Sequence, residues 1–156
     1  MSSLWLPLLT AVLALLLCWG AVTDLRSRII SNRLNAAIAL LAPLWWWANG
    51  LSFYPDIAIQ LGLGLGVFAI FTAMFAIGLM GGGDVKMLGA IALWMPLGAM
   101  ANLIGLMALL GGAVTVATII HLRAAQKEGK PEIPYGVAIA LAGLWVVGEP
   151  YLNALA

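Results

Sequence analysis

Five apolar stretches divide the chain, each bounded by a polar or glycine-rich break: Leu4–Thr23, Leu34–Ala48, Ile57–Met80, Met87–Leu122 and Tyr135 to about Leu152. A helix needs about 20 predominantly apolar residues to cross a bilayer. Met87–Leu122 is too long for one crossing and slightly short for two ordinary ones. Pro96 followed by Gly98 offers the break, because proline removes a helical N–H and cannot continue the hydrogen-bond ladder. The pattern therefore predicts a short helix over Val85–Met95, a turn, and a full helix from about Ala99 to Leu122. The expected fold is all-α: a polytopic membrane protein of six transmembrane helices, forming one domain over residues 1–156.

Composition agrees with that pattern. Hydrophobic residues make up 64% of the chain and charged residues 8%, against about 25% charged in an ordinary soluble domain. The net charge of +1 leaves no basic surface for phosphates and argues against a nucleic-acid partner. Cys18 is the sole cysteine, so neither an internal disulfide nor a CxxC zinc site is available; it reads as a small buried hydrophobe. The opening stretch has no Lys or Arg ahead of its apolar run and is long enough to span, so it reads as a retained first helix and not a cleaved signal.

Charge then orients the helices. Every Lys and Arg falls in one of three places: Arg26, Arg28 and Arg33; Lys86; and Arg123, Lys127 and Lys130. Six crossings with both termini outside put all three clusters on one face, which the positive-inside rule identifies as cytoplasmic. Five crossings would strand the last cluster on the wrong side. Asp24, ending the first helix, and Asp84, starting the fourth, then meet at the same cytoplasmic boundary. Asp56 and Glu149 fall on the opposite side, while Glu128 and Glu132 sit among lysines in a polar loop.

A carboxylate at membrane depth is costly and usually functional. Gly81, Gly82 and Gly83 immediately precede Asp84. They permit unusual backbone conformations and the close approach of another chain, while Asp84 itself can serve as a plain cap at a helix start. Asp24 beside Arg26 and Arg28 can likewise be a simple salt bridge. Taken as a pair, the two acids offer more. Carboxylates that share a site do not both ionise easily, so one keeps a proton and the other can act as a base. That combination suits the hydrolysis of a peptide bond by activated water.

Three motifs in order carry a resemblance over almost the whole chain. "GGGDVKML" resembles the GxGD motif of membrane aspartyl proteases, in particular the type IV prepilin peptidases, which continue with x-K-L-L. "DLRSRIISNRLN" resembles the segment that opens on that family's first catalytic aspartate and runs on through a Pro-Asn or Pro-Asp pair and a Leu-Thr. "IPYGVAIALAG" resembles the Pro-Phe-Gly-Pro-Ala segment that opens the last helix. The resemblance implies that Asp24 and Asp84 are the catalytic aspartates. It also implies that Gly81, Gly83, Lys86, Asn32, Pro134 and Gly136 shape the site or contact substrate. Ser31 stands where the family usually has proline.

The four-cysteine methyltransferase region of bifunctional members has no counterpart, so N-methylation is not expected. The compact form resembles the peptidases of tight-adherence (Flp) pili. The implied activity is removal of a short basic leader from a prepilin-like or pseudopilin precursor, on the cytoplasmic side of a bacterial inner membrane, with no cofactor and no metal. The implied partners are that precursor and the lipid bilayer; oligomeric state is left open. Two other classes remain at this stage. One is a proton- or ion-coupled transporter, the other a non-catalytic subunit of a pilus or secretion assembly. Away from these motifs, Trp45–Trp47 read as an interfacial aromatic belt. Gly62, Gly64, Gly66 and Gly78 read as close helix-packing positions.

Overall fold

A computed structural model describes residues 4–124 and 135–153. They form six α-helices and no strand: α1 (Trp5–Ser27), α2 (Asn32–Ala48), α3 (Ala58–Ala76), α4 (Gly82–Ala92), α5 (Leu97–Ala124) and α6 (Tyr135–Asn153). An irregular turn, Phe53–Ile57, leads into α3. The all-helical expectation holds, including the short helix ahead of Pro96. The count of spans does not follow as directly. Among the described residues, four segments are long and apolar enough to cross a membrane: Trp5–Ser27, Phe53–Ala76, Leu97–Ile120 and Tyr135–Asn153. By contrast α2 has 17 residues and α4 only 11.

The helices begin and end where local chemistry directs. Ser31 caps α2, its hydroxyl accepting from the Leu34 N–H at 3.2 Å, so serine starts by capping a helix that proline would start by fixing φ. At the end of α3, Gly78 takes φ +77°, its N–H reaches the Phe75 carbonyl, and the Leu79 N–H reaches that of Met74. This doubly bonded left-handed stop ends the helix ahead of the glycine loop. Gly78 is thus a helix terminator and not the packing position expected from the sequence.

The bundle is organised around α4. Val85 and Met87–Ala92 are all buried, and the helix packs against α2, α3 and α6. The outer helices meet the rest along single stripes. On α1 the stripe is Leu9, Leu13, Leu17, Gly20 and Asp24; on α3 it is Gln60, Gly64, Val67 and Phe71. Spacings of three and four keep such residues on one helical face. With no hydrophobic drive between helices in lipid, close van der Waals contact holds them together. Gly64 supplies such contact, since a Cβ there would lie 2.5 Å from Leu93 Cδ2. Gly62 and Gly66 face open space instead, because only one residue per turn of α3 meets α4.

Because α4 stops after three turns inside the bundle, its last carbonyls would be orphaned in apolar surroundings. Gln60 Nε2 donates to the carbonyls of Ala92 (2.7 Å) and Met95 (2.6 Å), and Trp46 Nε1 donates to that of Leu93 (2.7 Å). Trp46 is therefore an interior residue and only Trp47 of the tryptophan triplet is exposed, while Trp45 packs its ring 6.2 Å from that of Trp94. Cys18 is exposed on α1, not buried. It lies one residue past Leu17, off the buried stripe.

Candidate active site

Asp24 closes the interior stripe of α1, in its last turn, and is 5% exposed. Its Oδ2 accepts the Val137 N–H at 3.1 Å, in the first turn of α6. The free N–H groups at a helix start favour an anionic partner, and here that partner comes from a different helix. Gly136 makes the contact possible. A Cβ at that position would lie 2.9 Å from Asp24 Cγ and Oδ2, and 2.6 Å from Ile30 Cδ1.

Asp84 is the third residue of α4 and is half-buried. Gly81, the residue just ahead of α4, is extended and caps the helix without any side chain. A Cβ on Gly81 would sit 2.9 Å from Asp84 Oδ2, so the bare glycine leaves room for the carboxylate. Gly83 has a different neighbour: a Cβ there would lie 3.1 Å from Ile30 Cβ and 3.2 Å from the Ile30 carbonyl oxygen. Ile30, in the α1–α2 connection, therefore lies against both Gly83 and Gly136. Three of the expected site glycines thus have distinct steric reasons to be glycine.

Both aspartates line one open cleft of about 650 Å³, formed by the end of α1, the α3–α4 connection and the start of α6. Arg28, Met80 and Tyr135 line it with them. Arg28 adopts the left-handed conformation at the end of α1, its N–H bonded to the Asp24 carbonyl at 3.0 Å. The cleft so combines two carboxylates with one cation and is open to the outside.

Lys86 and Asn32 join each other, Nζ donating to Oδ1 at 2.8 Å. They line a different, mostly apolar groove of about 480 Å³ between α2, α3 and α4, not the aspartate cleft. Pro134 lies outside the described residues. Sequence reasoning missed Ile30 and Asn35. The Asn35 side chain is buried and donates to the Gly83 carbonyl at 3.1 Å. A lone amide inside the apolar run of α2, three residues after Asn32, was the available signal. Nothing in the sequence marks Ile30.

Among the described residues, no group of three or more His, Cys, Asp or Glu side chains could hold a metal ion. Two carboxylates lining one cleft suit proton transfer to and from water and a peptide bond. A family model described as the type IV leader peptidase family matches residues 11–120, a range that takes in both aspartates. Neither a curated protein nor a solved structure matches the chain.

Proposed function

The chain belongs to the type IV leader peptidase family, and from that premise we propose that Asp24 and Asp84 form an aspartic dyad that cleaves the leader of Flp-type prepilin precursors. One observation carries the proposal: side chains from the last turn of α1 and the first turn of α4 line the same cleft. In this reading one carboxylate is ionised and takes a proton from water as its oxygen attacks the scissile carbonyl carbon. The other is protonated and stabilises the developing oxyanion by donating to it. Collapse of the tetrahedral intermediate breaks the C–N bond, and the amine leaves with a proton delivered by the pair. Val137 would hold Asp24 in place throughout, and the open cleft between the two acids would admit an extended substrate strand.

We further propose that the chain crosses a bacterial inner membrane six times, with α2 and α4 completing the set and the cleft facing the cytoplasm. The distribution of all Lys and Arg supports this orientation. The basic leader of the precursor would then remain in the cytoplasm while its apolar helix lies in the bilayer beside the enzyme. Co-expression with a candidate prepilin tests the activity. The expected result is a shorter precursor band lacking the leader. An unprocessed precursor beside abundant, membrane-inserted chain would overturn the proposal.

A further inference from the structure

In the first turn of α4 the Asp84 carboxylate reaches back to the Gly81 N–H, but the backbone that carries it is intrinsically loose. Gly81, Gly82 and Gly83 leave the backbone free, and the N-cap residue brings no side chain to the helix start. Two polar ties from α2 compensate. One is the exposed bond from Lys86 to Asn32. The other is buried: Asn35 is 5% exposed, and its Nδ2 donates to the Gly83 carbonyl at 3.1 Å. That carbonyl belongs to the peptide unit whose nitrogen is Asp84's own. A peptide unit is planar, so holding its oxygen fixes the plane from which the Asp84 Cα–Cβ bond departs. Ile30 presses on Gly83, so the unit is held by a steric contact as well as a hydrogen bond.

Asn35 holds this position at a disadvantage. Among the described residues its Oδ1 is buried without a hydrogen-bond partner, an arrangement uncommon in folded proteins and one that calls for a specific reason. A residue needed only to fill space between α2 and α4 would be served as well by leucine, which has no acceptor to orphan. The donor is what leucine lacks.

We propose that Asn35 is a positioning residue for Asp84, aiming its carboxylate into the cleft by holding the Gly83 carbonyl. The proposal rests on the dyad reading. The test compares full-length wild type, Asn35→Leu and Asn35→Thr in detergent, measuring kcat and KM on a purified precursor together with the thermal unfolding midpoint. Asn35→Leu should lower kcat by about 10- to 100-fold, the scale of a small misplacement of a reacting group. KM should stay within about twofold of wild type and the midpoint should be equal or higher, because an orphaned acceptor has gone. Asn35→Thr keeps a donor and should recover most of the lost kcat. A wild-type kcat in Asn35→Leu overturns the proposal, as does threonine performing no better than leucine. Loss of folded chain in proportion to activity also overturns it. Should the leucine variant not accumulate, Asn35→Ala is judged on kcat and KM alone, since the cavity it leaves lowers the midpoint by itself, and if neither accumulates the role is structural and the proposal falls. A wild-type chain that fails to cleave instead overturns the peptidase reading on which this one stands.

Discussion

One added methyl group tests the seat of Asp24. In Gly136→Ala the new carbon would meet Asp24 Cγ and Ile30 Cδ1 well inside contact distance, so the carboxylate must leave its bond to Val137. Cleavage should fall by at least about tenfold with insertion unchanged. Gly62→Ala, which faces open space, is the control and should cleave normally. The proposed dyad predicts that Asp24→Asn and Asp84→Asn each lower kcat by about 1,000-fold or more, with the double variant no worse, because members of one catalytic unit are not additive. Asp56→Asn should be unaffected, since Asp56 is exposed and bonded to Ser52 away from the cleft. Activity should rise and then fall with pH: too low and both acids hold protons, too high and neither does. The two limbs report pKa values of the pair and not of either residue. The two acids were legible in the sequence because a charge at a helix end stands out against apolar neighbours. The facing of Cys18 and Trp46 was not. In lipid both the inside and the outside of a helix are apolar, so residue type does not say which way a side chain turns.

At the scale of the element, α4 is the informative helix. Its length was legible from Pro96, but the means of ending a helix in apolar surroundings was not, because Gln60 and Trp46 reach it from other parts of the chain. Gln60→Leu removes the donor for two carbonyls and leaves both exposed to an apolar environment. Leaving a buried acceptor unsatisfied costs about 1–3 kcal/mol, so the variant should unfold at a lower temperature in detergent. Trp46→Phe removes one donor and keeps the ring, so its midpoint should fall less than that of Gln60→Leu. Equal midpoints for wild type and Gln60→Leu would mean that these carbonyls find other partners. Helix boundaries were legible only to within a few residues. The apolar run to Met80 hides the end of α3 at Ala76, because Gly78 stops the helix through its own backbone bonds while its neighbours stay apolar.

For the whole molecule, the proposed topology is checked by single cysteines in a Cys18-free background, a precaution the exposure of Cys18 makes necessary. Cysteines at Ser27 and Ala125 should label only from the cytoplasm, and one at Ser52 only from outside. Labelling of Ala125 from outside would remove one crossing and with it the shared side of the basic clusters. A second whole-molecule property follows from the bond between Val137 and Asp24. Translation runs from the amino terminus, so Asp24 is made early, Asp84 midway, and the N–H that holds Asp24 only with α6. A ribosome that has completed both carboxylates has therefore not yet completed their setting. On the proposed reading the nascent chain passes through the insertion machinery, among other unfolded membrane segments, as an inert protein. Its ability to cut peptide bonds arrives with the last helix.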